Sequence, residues 1–112
     1  MDSTPPVRNV LFVCRWNRCR SATAERVYAK RPDLHVRSAG TSSDALVQVN
    51  LRMLDWADTI FIMDPEQQRA LEAMFPDHPA VARAICLDIP DDYLFLQPEL
   101  VALLEERLKT RL

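Results

Sequence analysis

Short apolar runs alternate along the chain with amphipathic stretches and polar loops. Val7–Val13, apolar throughout its second half, and Thr59–Met63 are too short for helices and rich in β-branched residues, so each predicts a buried strand. Leu34–Ala39 predicts another strand, and Val81–Leu87 is expected to contain a fourth.

Apolar positions at helical spacing predict four helices between and after these strands. One of them has a strong start, because Asp64 suits a helix cap, Pro65 suits a first turn and Gln67 completes a capping box. The helices are expected at Arg20–Lys30, near Val49–Trp56, from Pro65 to about Phe75, and at Pro98–Leu108.

The alternation of strands and short helices indicates the fold class. Such an order favours right-handed crossovers and a parallel sheet covered on both faces. We therefore predict a single α/β domain over residues 1–112, built as a doubly wound four-stranded parallel sheet of flavodoxin-like order 2-1-3-4. The ligand crevice of such a sheet lies at the carboxyl ends of its strands, where the loops after the first, third and fourth strands open.

Composition narrows the class of protein. Hydrophobic residues make up 48% and charged residues 27% of the 112, which is a globular balance. No apolar run approaches the roughly 20 residues that span a bilayer. Residues 1–6 are polar, show no secretory signal and are expected to be a frayed lead-in, so a cytoplasmic protein is predicted. The net charge of −2 gives no general attraction to nucleic acid, and three cysteines cannot form a complete disulfide framework.

The loop between the first strand and the first helix concentrates reactive and cationic side chains. Cys14 stands at a strand end facing a helix N-terminus, whose free N–H groups and dipole favour a thiolate and also bind an oxyanion such as phosphate, arsenate or sulfate. The guanidinium groups of Arg15, Arg18 and Arg20 add to that effect. Arg20 is spaced to hold two oxygens through its planar fork, and Ser21 to donate to the sulfur. This constellation indicates a nucleophile aimed at phosphorus.

Several segments resemble the low-molecular-weight protein tyrosine phosphatases. Val10–Cys14, Asn17 and Cys19–Ser21 are similar to the phosphate-binding loop of that family, Val36–Thr41 to its second strand, and Asp88–Tyr93 to its Asp-Pro-Tyr general-acid loop. The resemblance implies a flavodoxin-like fold and hydrolysis of phosphotyrosine through a cysteinyl-phosphate intermediate, without metal or other cofactor. The chain is interpreted as a short, truncated member.

The resemblance also implies roles for individual loop residues. Cys14 corresponds to the nucleophile, Arg20 to the phosphate clamp, Asn17 to a brace of the loop and Ser21 to the group that tunes the thiolate. Cys19 stands where family members often hold a second thiol able to form a protective disulfide with the nucleophile, and a small loop filler explains it equally well. The other expected members of the phosphate-binding loop are Arg15, Trp16 and Arg18.

Expelling a tyrosyl oxygen needs a proton donor on the far side of the phosphate. His35 and His78 both lie on the wrong edge of the predicted sheet, which also disfavours a papain-like Cys–His pair. The loop after the fourth strand lies on the correct edge, and there Asp91 matches the register of the family's acid. Asp92, which replaces the usual proline, is the second choice. Tyr93 matches a tyrosine that walls the substrate ring, and a half-buried loop anchor is the alternative interpretation.

Two departures from the family pattern bear on the choice of substrate. Trp16 stands where the family usually has glycine, so it is a second candidate for the substrate wall, and any left-handed backbone angle in the loop falls to another residue. Residues 42–50 are shorter than the corresponding family stretch, which predicts a shallower and more open pocket.

The residues leave alternatives to a phosphomonoester hydrolase. An arsenate reductase of the same fold relays through two further, closely spaced cysteines, whereas only Cys86 occurs late in this chain, where a buried and inert strand thiol is expected. A non-catalytic phosphate- or phosphoprotein-binding module, or a phosphocysteine carrier, has no need of an acid loop. The expected partners are a phosphotyrosine protein or a small aryl phosphate, with phosphate and other oxyanions as inhibitors. We expect a monomer without nucleic-acid or membrane partners.

Overall fold

The computed structural model describes residues 7–112, and the expected lead-in at residues 1–6 lies outside the described residues. The helices and strands follow one another as β1 (Arg8–Cys14), α1 (Arg20–Tyr28), β2 (Leu34–Gly40), α2 (Leu51–Trp56), β3 (Thr59–Ile62), α3 (Pro65–Met74), α4 (Pro79–Ala82), β4 (Ile85–Cys86) and α5 (Pro98–Leu108).

The four strands form one parallel sheet in the predicted order β2-β1-β3-β4. β1 pairs with β2 over its whole length, so that Cys14 at the end of β1 lies beside Gly40 at the end of β2. β1 also pairs with β3 on its other side. Because the central strand is enclosed by neighbours and covered on both faces, Val10–Val13 are each 0% exposed, which explains the continuous apolar run.

Alternation along β1 divides the core into two layers. Val10, Phe12 and Cys14 pack on the face covered by α1 and α5, and α5 contributes Leu100, Leu104 and Leu108 to that cluster. Leu11 and Val13 pack on the opposite face, which α2, α3 and α4 cover. The predicted helices therefore lie on both faces of the sheet, and the loop after Cys14 emerges on the side of α1.

The region predicted to contain the fourth strand differs from expectation in its first half. Pro79–Ala82 form helix α4, which begins at a proline and is capped by His78, whose Nδ1 accepts the N–H of Ala80 at 3.0 Å. Only Ile85–Cys86 are strand. The prediction that Cys86 is buried is wrong, because β4 is a two-residue edge strand and the Cys86 side chain is exposed. Within residues 7–112, no helix has the length and apolar character needed to cross a membrane.

Leu104 tests the layer between the sheet and α5. Its side chain is 0% exposed, so we expect Leu104→Ala to lower the free energy of unfolding by about 2–5 kcal/mol through lost burial and a residual cavity. Leu94, which is 74% exposed, provides the control, and Leu94→Ala should change stability by less than about 0.5 kcal/mol. Urea denaturation measures both values. Equal effects of the two substitutions would contradict this packing.

Candidate active site

The loop of residues 14–19 is held in place by its carbonyl groups. The carbonyl oxygens of residues 14, 15 and 16 accept hydrogen bonds from the N–H groups of Thr41, Ser42 and Leu46, at 3.0, 3.0 and 3.2 Å respectively. The loop carbonyls thus face the segment after β2, where they are hydrogen-bonded. The N–H groups of the loop are left to face the other side, where the sulfur lies. The short 42–50 stretch therefore has a structural part in the site that the sequence did not reveal.

Gly40 permits the loop and the end of β2 to come this close. A Cβ atom at position 40 would lie 2.6 Å from the carbonyl oxygen of Arg15, 2.6 Å from the Cβ of Ala45 and 3.0 Å from the nitrogen of Asn17. Two of these neighbours are backbone atoms, which cannot rotate out of the way. The one glycine of the chain thus stands at a position that needs the absence of a side chain.

The sulfur of Cys14 is buried and receives two polar contacts. The backbone N–H of Asn17 donates to Cys14 Sγ at 3.2 Å, and the hydroxyl of Ser21 lies 2.9 Å from the same atom. Asn17 has a φ of 55°, so it supplies the left-handed backbone angle that Trp16, in the usual glycine position, was not expected to supply. Asparagine is among the few non-glycine residues that tolerate this conformation.

A buried network of polar side chains surrounds that contact. The amide of Asn17 donates to the hydroxyls of Ser21 and Ser38, each at 2.9 Å, and the Ser38 hydroxyl donates to Glu25. Ser38 was not singled out from the sequence. It lies on β2, where it pairs with Phe12 of β1, the strand that ends at Cys14. Since the Asn17 side chain is held by two hydrogen bonds, its backbone N–H group is fixed in its direction toward the sulfur.

Arg20 lies almost fully inside the protein, 2% exposed. Its Nη1 donates to Asp64 Oδ2 at 2.7 Å and to the carbonyl of Ile89 at 2.8 Å. Its Nε has no hydrogen-bond partner among residues 7–112 and lies 3.6 Å from Asp91 Oδ1, beyond hydrogen-bond distance. A buried donor of this kind is available to an oxygen of a bound oxyanion.

Asp64 has a second role beyond the helix cap that the sequence predicts. It caps α3 by accepting the N–H of Glu66 at 2.8 Å, and it also binds the buried guanidinium of Arg20. Burial raises the pKa of Asp64, but the hydrogen bonds from Arg20 and from the Glu66 N–H outweigh burial and hold the pKa below its usual value. Asp64 is therefore a positioning residue for Arg20.

One cavity of about 160 Å³ brings the loop and the predicted acid together. It is lined by Cys14, Trp16, Arg18, Cys19, Arg20 and Asp91. Residues from the two ends of the chain thus meet at the carboxyl edge of the sheet, where the topology places the crevice. No residue of the 42–50 segment lines this cavity.

The other residues expected near the acid lie elsewhere. Asp92 is exposed and does not line the cavity. Tyr93 is half-buried and packs against the core cluster under α5, which fits the loop anchor rather than the substrate wall. His35 is exposed on β2, and His78 bonds to Asp55 at 2.8 Å, both away from the cavity. Within residues 7–112, no group of three or more His, Cys, Asp or Glu side chains is placed to hold a metal ion.

The remaining loop side chains differ in their surroundings. The guanidinium of Arg15 lies 4.8 Å from the centre of the Trp16 ring and 3.6 Å from a carboxylate oxygen of Glu66. Arg18 is exposed at the wall of the cavity. Cys19 is a half-buried free thiol on the same wall. A larger cavity of about 280 Å³, beside His35 and at the opposite end of β2, contains no nucleophile.

Comparison with known proteins places the loop in a family. Residues 9–55 match the family model described as low molecular weight phosphotyrosine protein phosphatase. This match covers β1, the loop, α1 and β2, so the resemblance predicted from the loop and the second strand is confirmed over these residues. No curated protein sequence matches this chain at a significant level.

Several solved structures share the fold of this chain. The YwlE arginine phosphatase from Geobacillus stearothermophilus is 24% identical, with 92% of this chain and 94% of that chain covered and a TM-score of 0.66. Vibrio vulnificus Wzb in complex with benzylphosphonate is 23% identical, with 92% and 95% covered and a TM-score of 0.74. The tyrosine phosphatase Wzb from Escherichia coli K30 in complex with phosphate is 19% identical, with 93% and 95% covered and a TM-score of 0.76.

Asp64→Asn separates the charge of Asp64 from its capping role, because asparagine caps helices about as well as aspartate. A lowered folded-state pKa means that the carboxylate's contribution is complete above the ordinary pKa and is lost as the pH falls through the lower folded value. We expect the variant to lose about 1.5–3 kcal/mol of stability at pH 7, the usual range for a hydrogen bond to a charged group. The loss should shrink below about pH 4.

Urea denaturation between pH 3 and pH 7 measures this difference. Asp44→Asn is the matched control, because Asp44 is exposed and forms no ion pair within residues 7–112. A stability loss in Asp64→Asn that stays constant with pH would contradict the role assigned to the charge.

Proposed function

We propose that this protein is a phosphomonoester hydrolase of the protein tyrosine phosphatase type. The proposal rests on one observation: the sulfur of Cys14 with its two polar contacts, the Nε of Arg20 and the carboxylate of Asp91 all meet at one cavity. The complexes of proteins of similar fold with phosphate and benzylphosphonate support oxyanion binding.

In the first step, the thiolate of Cys14 attacks phosphorus, and an S–P bond forms as the P–O bond to the leaving group breaks. Arg20 Nε and the loop N–H groups stabilise the equatorial oxygens of the phosphoryl group. Asp91 gives its proton to the departing oxygen, because it lines the same cavity as the buried sulfur. The alcohol or phenol leaves, and a cysteinyl phosphate remains.

In the second step, water attacks the phosphorus of the cysteinyl phosphate. The carboxylate of Asp91 takes the proton from that water, the S–P bond breaks and inorganic phosphate forms. The hydroxyl of Ser21, 2.9 Å from Cys14 Sγ, donates to the sulfur as it leaves as a thiolate. The enzyme returns to its starting state without a cofactor.

An aryl phosphate fits the cavity best among the substrates considered. The indole of Trp16 lines the wall and is stacked on Arg15, so it offers a fixed aromatic face to a phenyl ring. A proton donor on the cavity wall favours hydrolysis over the arsenate reductase and binding-only alternatives, neither of which needs one. We expect the protein to act on a phosphotyrosine protein or a small aryl phosphate and to be inhibited by phosphate and related oxyanions.

Cys14→Ser tests the nucleophile with p-nitrophenyl phosphate as substrate. We expect near-complete loss of turnover, because a serine hydroxyl is not ionised at neutral pH and is a much weaker nucleophile than a thiolate. Cys86→Ser is the matched control, since Cys86 is an exposed thiol outside the cavity, and it should turn over like the wild type. Circular dichroism melting verifies that both variants fold. Undiminished turnover in Cys14→Ser would remove the nucleophile assignment.

Asp91→Asn tests the acid through its dependence on the leaving group. We expect kcat to fall by about 10²–10⁴ on phosphotyrosine and to fall progressively less as the phenol becomes a better leaving group, because a good leaving group needs no proton. Asp92→Asn is the control and should show no such trend. Steady-state rates on a series of substituted phenyl phosphates give the comparison. If Asp92→Asn shows the trend instead, the acid is Asp92.

A further inference from the structure

Arg18 differs from the other two arginines of the loop in its partners. Arg15 lies against Glu66 and the ring of Trp16, and Arg20 is bound to Asp64 and the Ile89 carbonyl. Arg18 is exposed, lines the cavity and forms no ion pair with any carboxylate of residues 7–112. Its positive charge is therefore available to a bound molecule.

The cavity has a buried floor and an exposed wall. Cys14 and Arg20 form the floor and are each 2% exposed, whereas the Asp91 side chain on the wall is 48% exposed, and Arg18 is exposed as well. Phosphorus has to reach the floor, because the nucleophilic sulfur lies there. The part of the substrate beyond the phosphate then lies along the wall, next to Arg18.

The charges around the cavity favour an acidic group at that wall. Arg20 faces two carboxylates, Asp64 at 2.7 Å and Asp91 at 3.6 Å, and Arg15 faces one, Glu66. Arg18 is the cation on the lining without such a neighbour among the described residues. A carboxylate presented beside the phosphate group gains an ion pair with it, while an ammonium group there is repelled.

We propose, on the basis of the proposed phosphatase function, that Arg18 is a specificity-determining residue that binds an acidic side chain next to the phosphotyrosine. The substrate class is thus a phosphotyrosine segment with Glu or Asp flanking the modified residue. The phenyl ring lies against Trp16, the phosphate lies over Cys14, and the flanking carboxylate meets the Arg18 guanidinium.

The experiment compares phosphotyrosine peptides that differ only in the two residues flanking the phosphotyrosine, which are Glu, Gln or Lys. For the wild type we expect kcat/KM for the Glu peptide to exceed that for the Lys peptide about tenfold at low ionic strength, and the ratio to fall toward one in 0.5 M salt. Arg18→Gln should bring the low-salt ratio to about one to two, and Arg18→Glu should reverse the preference. Each rate is divided by the rate of the same variant on p-nitrophenyl phosphate.

Arg26→Gln is the matched control, because Arg26 is an exposed arginine on α1 that does not line this cavity. It should keep the wild-type ratio. An equal fall of Arg18→Gln on every substrate, with the ratio unchanged, would show that Arg18 holds the phosphate itself and would overturn the inference. A wild-type ratio near one would also overturn it and would leave the phosphatase function intact.

The two proposals remain separable if no aryl phosphate is hydrolysed. That result overturns the phosphatase function, and the affinity of Cys14→Ser for the same peptides then tests Arg18 alone by fluorescence anisotropy. Tighter binding of the Glu peptide, lost on adding Arg18→Gln, supports the inference. Equal binding of the Glu and Lys peptides overturns it.

Discussion

The attachment of three loop carbonyls to the segment after β2 is the constraint on which the rest of the site depends. Because the carbonyl oxygens of residues 14, 15 and 16 accept the N–H groups of Thr41, Ser42 and Leu46, the opposite side of the loop is left to present the Asn17 N–H to the sulfur. The parallel pairing of Cys14 with Gly40 sets this register, since it brings the end of β2 alongside the start of the loop. A side chain at position 40 would collide with the loop backbone, so the close approach of the loop to β2 requires glycine at this position.

Arg20 joins the carboxyl ends of several strands through a single guanidinium. It follows the loop after β1, binds Asp64 directly after β3 and binds the Ile89 carbonyl after β4. Burying a cation costs several kcal/mol unless it is paired, so the two fixed acceptors are what allow Arg20 to be 2% exposed. The Nη1 atom makes the bonds that hold the arginine in place, and the Nε atom has no partner among residues 7–112. Nε is therefore free to donate to an incoming oxyanion without loss of those bonds.

The sheet order and the long elements were predictable because each carries a strong local pattern. Val10–Val13 is apolar since the central strand is enclosed on all sides, and α3 begins where its capping box predicts. The short elements carry too few residues to show a period, which is why α4 and the exposure of Cys86 were missed. The second role of Asp64 was hidden for a different reason. Its capping role already explains the residue locally, and only the long-range contact with Arg20 reveals the other.

Arg18 and Arg20 look alike in the sequence, but Arg20 is buried and Arg18 is exposed. This difference suggests separate roles for the floor and the wall of the cavity. The floor of the cavity is made of Cys14 and Arg20, to which the proposed function assigns the bond-breaking chemistry. The wall carries Trp16 and Arg18, which under the same proposal meet only the group attached to the phosphate. Since Cys14, Trp16 and Arg18 come from the same short loop, its anchoring by the 41–46 segment positions all three. Under the proposed function, changes at Trp16 and Arg18 therefore alter the choice of substrate while Cys14 and Arg20 stay in place.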